Sequence, residues 1–325
     1  MPAMRYVGRR LGHAVLLLIG VSILTFLFAE LAPGDVLDEM RMDPRISEAT
    51  IQAVRERYGM DQSLPQKYVR WLRSVGRGEL GFSVVHNGPV GPLLWRRARN
   101  TLLLTVPATA LAWMVAIPLG VWAAARKGQW ADRGAAAATT TLLSVPDLLL
   151  GLVCLLIAVR TGYFATGGMV SLGFAELGPW EKVKDIVFHF FLPVTALLLV
   201  NLPVLVRHVR ASLIDVLEAP FIQAARGLGV PERRLLYRGA LRAAANPLIS
   251  LFGLSIAALL SASLVIETIM SWPGLGPLLL EAVLARDLHL VVGAVTCSTL
   301  FLIAGSLLAD GLLYVADPRI RPGRV

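Results

Sequence analysis

The chain has 325 residues, of which 56% are hydrophobic and only 16% charged, and its mean hydropathy is +0.66. Soluble domains contain about 45–50% apolar residues, so this composition excludes an ordinary soluble domain and indicates a membrane protein. The formal net charge of +9 could suggest nucleic-acid binding. The charges lie in blocks between apolar runs, however, so we predict no nucleic-acid partner and interpret the blocks as markers of membrane topology.

Six apolar runs are each long enough to cross a bilayer, which takes about 20 residues of α-helix. In chain order the runs are Leu11–Ala29, Thr101–Ala125, Gly134–Val159, Ile186–Val206, Ala243–Ile266 and Leu288–Ala309. The first run follows several arginines, as a signal peptide would, but it is longer than a signal-peptide core of about 7–15 residues. We therefore expect a retained span and an all-α polytopic membrane protein with six transmembrane helices.

Arginine and lysine in the short loops predict the orientation of these helices, because cytoplasmic loops are enriched in both. Basic residues are concentrated at both termini, in the loop after the second run and in residues 207–242. These segments alternate along the chain and so fall on one side, which we assign to the cytoplasm. Segment 31–100 is then external, although it carries Arg96, Arg97 and Arg99, because long segments cross the membrane largely regardless of charge.

This topology divides the chain into four parts. They are residues 1–30, the first transmembrane helix; 31–100, a small helical external subdomain; 101–317, a core of five transmembrane helices; and 318–325, a cytoplasmic tail. In the external subdomain, one helix is predicted after Ser47 and a second from Leu64 to a stop at Gly76. Their apolar faces are Ile51, Val54 and Tyr58 in the first and Tyr68, Leu72 and Val75 in the second. The subdomain is either a cap on the membrane core or a docking platform for an external partner.

The sequence carries no catalytic or metal-binding motif that we can identify. It has no G-x-x-x-x-G-K-[ST] phosphate loop, no H-E-x-x-H, no paired cysteine motif and no G-x-S-x-G. Both cysteines, Cys154 and Cys297, lie inside apolar runs, and we predict core residues there, neither a disulfide nor a metal site.

Three polar residues in or beside the spans are possible pathway residues: Asp147, Asn201 and Glu267. Charge inside a bilayer is costly, so Asp147 is expected to face the bundle interior or a water-filled path. It follows Pro146, which predicts a local kink. A capped kink and a pathway residue are both compatible with this pattern. We expect Asn201 to form a hydrogen bond between helices.

The stretch from Phe221 to Arg242 reads as a helix, a sharp turn and a second helix on the cytoplasmic face. Gly229 is placed to end the first helix, and Pro231 and Glu232 suit the first turn of the second. The small residues of the first helix would let another backbone approach closely. A basic hairpin that rests on anionic lipid is the alternative, although it would not need the small residues.

The sequence "QAARGLG" followed by "GALR" resembles the cytoplasmic EAA loop of ATP-binding-cassette (ABC) importer permeases. The likeness is to the dipeptide/oligopeptide class and covers almost the whole chain, including "ETIMSWPGLGPLLLEAVLARD" and "ADGLLYVADPRIR". Gln223 replaces the glutamate that names the loop, and Arg242 replaces its final proline. Both departures favour the peptide class over sugar or amino-acid importers.

This resemblance implies a type I ABC-importer permease fold and one half of a translocation pathway for di- or oligopeptides. It also implies an inner-membrane complex with a homologous second permease, two ATPase subunits and an external substrate-binding protein. ATP and Mg would lie on the ATPases, and this chain would bind no cofactor. The residues implied in coupling to the ATPases are Phe221, Gln223, Ala224, Ala225, Gly227, Gly229, Pro231, Glu232 and Arg233.

Alternatives to a peptide importer stay open at this point. Permeases of the same class also serve nickel, glutathione and other small solutes, and nothing in the spans names the substrate. An ATP-independent secondary transporter often shows inverted internal repeats and ionisable residues near the middle of the membrane. We see no such repeat in the sequence, and Asp147 is the only ionisable residue well inside a span. A membrane-anchored scaffold would not need the many prolines found in the spans.

Overall fold

The structure, a computed structural model, describes residues 2–31, 41, 47–49, 51–52, 55 and 62–316, and these residues are almost entirely helical. The main helices are α1 Pro2–Leu31, α2 Leu64–Val75, α3 Val90–Ala125, α4 Trp130–Leu143, α5 Asp147–Thr161, α6 Pro179–Leu217, α7 Pro220–Gly227, α8 Ala245–Ile269, α9 Leu275–Leu284 and α10 Leu288–Ala316. The strands β1 Phe82–Ser83 and β2 Gly88–Pro89 pair antiparallel in a short hairpin.

Five of these helices are long and apolar enough to cross a membrane, namely α1 from Gly8, α3, α6, α8 and α10. The pair α4–α5 passes the same test jointly and makes a sixth span if it is one broken crossing. The expected all-α polytopic architecture is therefore confirmed. The chain packs as two units. Of the described residues, the first unit contains nearly all of those up to Asn100 together with Pro273–Phe301, and the second contains Thr101–Trp272 and residues 302–316.

In the first unit, α2 packs against α1 through aromatic rings. The Phe26 ring lies 5.2 Å from Tyr68 and 5.4 Å from Trp71, centroid to centroid. The predicted bounds of α2 are confirmed, but its predicted face is partly wrong: Trp71 is buried, whereas Leu72 is 45% exposed. Residues 68, 71 and 75 make an equally good helical stripe, and the larger side chain takes the interior position.

The earlier helix of the external segment is described only in part. Ile51 is buried, and its backbone N–H donates to the Ser47 carbonyl at 3.2 Å, as in a helical turn. Val54 and Tyr58, which complete its predicted apolar face, lie outside the described residues, as does the predicted tail 318–325.

The β1–β2 hairpin is held to the start of α10 by a buried carboxylate. Asp287 Oδ2 accepts a hydrogen bond from Ser83 Oγ at 2.6 Å, and Asp287 Oδ1 accepts one from the Leu290 backbone N–H at 3.1 Å. Asp287 thus satisfies a free N–H of the first turn of α10 while anchoring the hairpin.

In the second unit, the predicted third span, Gly134–Val159, is corrected to two helices. The α4 and α5 axes differ by 94° across the break between Leu143 and Asp147. Pro146 occupies the N-cap of α5. Proline lacks a backbone N–H and disfavours helical geometry at the residue before it, so α4 cannot continue through this point. The expected kink is therefore a full break, and it places Asp147 at the start of a helix.

The core of the second unit is formed by α3, α5, α6 and α8 around buried aliphatic side chains, among them Leu104, Leu197, Leu259 and Ile266. Close helix contacts occur at glycines. A Cβ on Gly120 of α3 would lie 2.5 Å from Val209 Cγ1 of α6. Small residues at such crossings let transmembrane helices pack closely.

Candidate functional site

The stretch between α6 and α8 forms the predicted helix and sharp turn. Its first helix, α7, starts with Pro220 in the first turn and ends through a Schellman motif. In that motif the Gly229 N–H donates to the Arg226 carbonyl at 3.0 Å, and the Val230 N–H donates to the Ala225 carbonyl at 3.2 Å. Gly229 has φ +80°, a left-handed conformation that glycine adopts without steric cost. The prediction that Gly229 ends this helix is confirmed.

The second half of the stretch differs from the second helix that was predicted from Glu232 onward. Pro231 caps a helical turn, Glu232–Arg234, and a π-helical segment follows at Leu235–Ala240. One further turn, Leu241–Ala243, leads into α8. The segment has the widened hydrogen bonding of a π-helix, which is rare and is found mostly at functional positions.

Polar contacts fix α7 to its two neighbours. Gln223 Nε2 donates to the carbonyl of Leu217, the last residue of α6, at 2.9 Å. Arg226 Nη1 donates to Gln223 Oε1 at 3.1 Å, and the Arg226 guanidinium also pairs with the Glu232 carboxylate across the turn. The hydrogen bond to Glu232 raises the pKa of Arg226 above its usual value. The helix and the turn are therefore held as one body.

The two faces of α7 differ sharply in exposure. Ile222 is 2% exposed and lies against Gly239 of the π-helical segment, where an added Cβ would be 3.0 Å from Ile222 Cδ1. The opposite face shows Phe221, Ala224 and Leu228, all exposed, at helical spacing. A stripe of this kind can pack against another protein without hindrance from bulky polar side chains.

A basic cleft of about 440 Å³ lies on the segment that follows α7 in the chain. The side chains that line it are Pro231, Arg233, Arg234, Tyr237 and Arg238. All five residues are exposed. The predicted coupling residues from Phe221 to Arg233 are thus brought together in one helix, one turn and the rim of this cleft.

The three possible pathway residues lie on three different helices of the second unit. Asp147 is exposed at the first residue of α5, directly after the break between α4 and α5. Asn201 is buried in α6, and its Nδ2 donates to the Leu197 carbonyl of the same helix at 3.2 Å. The bond expected between helices is therefore formed within one. Glu267 is fully buried in the last turn of α8, which extends beyond the predicted end of that span.

The sequence reasoning missed an ion pair near this loop between a partly exposed arginine and a buried aspartate. Arg210 of α6 binds both carboxylate oxygens of Asp132 in α4, with 2.8 Å between Nη2 and Oδ2. Arg210 belongs to the basic residues of segment 207–242, which predict orientation and not a partner. A signal was present, since opposite charges stood at the ends of two runs predicted to lie on the same side of the membrane.

The described residues hold no group of three or more His, Cys, Asp or Glu side chains arranged to bind a metal ion. The two cysteines, Cys154 and Cys297, are free thiols in this structure.

Comparisons with known protein families match nearly the whole chain. The model described as "Binding-protein-dependent transport system inner membrane component" matches residues 116–322. The model for the N-terminal part of the same membrane components matches residues 3–105.

Curated proteins of similar length are related to the chain from end to end. The oligopeptide transport system permease protein AppB of Bacillus subtilis (strain 168) is 35% identical over 97% of this chain and 98% of that protein. The dipeptide transport system permease protein DppB of Escherichia coli (strain K12) is 33% identical over 98% of this chain and 99% of that protein.

Among solved structures, the fold is similar to a chain of the MetNI methionine ABC transporter in an inward-facing conformation. The TM-score is 0.56 at 16% sequence identity, and the match covers 69% of this chain and 96% of that chain. At this identity the likeness concerns the fold alone, and it confirms the expected type I ABC-importer permease fold.

Proposed function

Because the chain belongs to the family of binding-protein-dependent transport system inner membrane components, we propose that it is a permease subunit of an ATP-driven importer of di- or oligopeptides. The names of its relatives support the peptide substrate, since AppB and DppB are permeases of oligopeptide and dipeptide transport systems. Nickel, glutathione and other small solutes are the alternative cargo for a permease of this class.

The observation that carries the proposal is the exposed face of α7. A transport subunit without its own phosphate loop must receive the free energy of ATP through a contact with another chain. Phe221, Ala224 and Leu228 form an exposed apolar stripe for such a contact. We infer that α7 sits in a groove of the ATPase. In this proposal the shape of α7 is fixed by Gln223, Ala225, Gly227 and Gly229. The edge of the contact is formed by Pro231, Glu232 and Arg233.

Coupling then requires that α7 move as a rigid body. Closure of the ATPase pair around ATP displaces α7, and the contacts of Ile222 and Gln223 carry that displacement into the π-helical segment and α6. Packed elements with discrete arrangements convert such small shifts into domain motions. The permease itself performs no chemical step, and ATP and Mg belong to the partner subunits.

The proposed complex lies in the bacterial inner membrane. It contains this chain, a homologous second permease, two ATPase subunits and an external binding protein that makes the first choice of substrate. The termini and the loop 207–242 face the cytoplasm, and 31–100 faces outward. Asp147, Asn201 and Glu267 are the proposed polar groups of the pathway.

Reconstitution tests the proposal directly. The complete complex in proteoliposomes is expected to accumulate labelled di- or oligopeptides only when ATP is present on the ATPase side and binding protein on the other. Unlabelled peptides should compete for uptake, and nickel or reduced glutathione should not. Uptake driven by an ion gradient without ATP would instead assign the chain to the secondary transporters.

A further inference from the structure

The first turn of α4 is tied to α6 by a bidentate ion pair between a buried carboxylate and a partly exposed arginine. The Arg210 guanidinium holds both oxygens of Asp132, which is 5% exposed, and the Gly128 N–H donates to Asp132 Oδ2 at 2.8 Å. Bidentate arginine–carboxylate pairs add geometric specificity to attraction. The pair therefore fixes α6 and the first turn of α4 in one relative orientation.

A second ion pair lies closer to α7, at the end of α6. Lys127, in the loop between α3 and α4, pairs with Glu218, the residue that caps α6. Only Ala219 stands between Glu218 and the first residue of α7. Both partners are more than half exposed, so this pair contributes little alone. Its position shows that the loop runs along the end of α6 up to the start of α7.

Packing beneath the ion pairs leaves little freedom between the helices. Gly120 of α3 touches Val209, the residue next to Arg210, so closely that a Cβ would lie 2.7 Å from Val209 Cβ. Val209, Leu213 and Ala240 are fully buried in one core with the end of α3. The ends of α3 and α6 and the π-helical segment therefore form one packed layer.

We propose that Asp132 and Arg210 are positioning residues that pass the movement of α7 to the broken pair α4–α5. The inference rests on the proposed coupling through α7. Because α6 leads almost directly into α7, a displacement of α7 moves the end of α6 and with it Arg210. Asp132 is buried and Arg210 is partly exposed, so removing Arg210 would leave the buried carboxylate of Asp132 without its charge partner, which is costly. Asp132 therefore follows Arg210 and carries the first turn of α4. The 94° break at Pro146 lets α4 move against α5.

The test uses the complete importer in proteoliposomes and measures peptides transported per ATP hydrolysed. Asp132→Asn keeps an acceptor for the Gly128 N–H but loses the ion pair, and Arg210→Gln loses it from the other side. We expect each variant to reach the membrane and to lower the ratio roughly twofold to thirtyfold, the range for residues that carry coupling. The ratio of the double variant should be no lower than that of whichever single variant has the lower ratio, because both changes remove the same ion pair.

Two matched variants complete the test. Arg210→Lys keeps the charge without the bidentate geometry, and its ratio should lie between those of wild type and Arg210→Gln; it replaces the single variants if these fail to accumulate. Lys127→Gln, in the exposed pair, should leave the ratio unchanged.

Either of two outcomes would overturn the inference: single effects that multiply in the double variant, or an unchanged ratio, including one in which hydrolysis and uptake fall in proportion. A proportional fall would indicate a purely structural pair. Wild-type complex without ATP-dependent uptake would instead refute the proposed function.

Discussion

At the scale of single residues, Gly229 has a role that depends only on its backbone. A Cβ at Gly229 would meet nothing within 4 Å, yet φ is +80°. Any penalty for substitution therefore comes from the left-handed conformation, at roughly 1–2 kcal/mol for most side chains. That is too little to prevent membrane insertion, but it is enough to shift a short helix within a fitted groove.

Gly229→Val is therefore expected to insert normally and to lose most peptide uptake and most substrate-stimulated ATP hydrolysis in the reconstituted complex. Gly229→Asn is the matched control, because asparagine tolerates the left-handed region, and it should retain most activity. Arg233→Ala, at an exposed charge, should do less than Gly229→Val. Normal transport by Gly229→Val together with loss in Arg233→Ala would show that charge, and not the helix end, makes the contact.

Gln223 forms two hydrogen bonds that the sequence did not predict. The departure from the family's glutamate is visible in the sequence, but its consequence is structural. An amide can donate to the Leu217 carbonyl and accept from Arg226 at the same time. A carboxylate has no proton to donate, so glutamate could make only the second contact.

At the scale of helices, the sequence predicts which segments are helical better than it predicts the angles and contacts between the helices. Apolar length identified the spans, and Pro146 marked the break, but hydropathy contains no information about the 94° angle. The π-helical segment at Leu235–Ala240 also escaped prediction, because no local residue pattern distinguishes it from an α-helix. The Asp132–Arg210 pair joins residues 78 positions apart. The predicted topology places both charges on one side of the membrane, but the choice of these two partners depends on the packing of α4 on α6.

The crossing of α3 and α6 depends on the absence of a side chain at Gly120. A Cβ there would lie 2.5 Å from Val209 Cγ1 and 3.2 Å from the Arg210 backbone nitrogen, so the helices would have to separate. Overpacking of this kind costs about 1–3 kcal/mol. Gly120→Ala is expected to lower the midpoint of thermal unfolding in detergent.

Gly134 on α4 provides the control for that substitution. No atom lies within 4 Å of its virtual Cβ, and alanine is the better helix former. Gly134→Ala should leave the midpoint unchanged or raise it slightly. Equal midpoints for Gly120→Ala and wild type would mean that α3 and α6 do not cross as closely as the structure has them.

At the scale of the whole molecule, topology is open to direct measurement. In a chain with Cys154→Ser and Cys297→Ser, single cysteines at Gln52 and Leu228 report on opposite sides. Both positions are exposed. Without ATPase subunits, an impermeant maleimide should modify Gln52→Cys in intact spheroplasts and Leu228→Cys only after the membrane is opened. The reverse pattern would overturn the orientation drawn from arginine and lysine.

The proposed complex also requires a second permease. Within the single chain, the most apolar windows of the candidate spans are only 11–56% buried, so much of their surface faces lipid or another protein. A chain that supplies half of a pathway leaves that half open to lipid when it stands alone. Polar substrate could not cross such a surface, because unsatisfied polar groups are costly in hydrocarbon.

Expression of this chain with the ATPase subunits and binding protein alone is therefore expected to give no ATP-dependent peptide uptake. Addition of the homologous second permease should restore uptake, and the purified complex should contain one copy of each permease by native mass. The restored activity should disappear when the second permease is replaced by an extra copy of this chain. Full uptake with the extra copy of this chain would show that two copies close the pathway between them. The predicted heterodimer with a second permease would then be wrong.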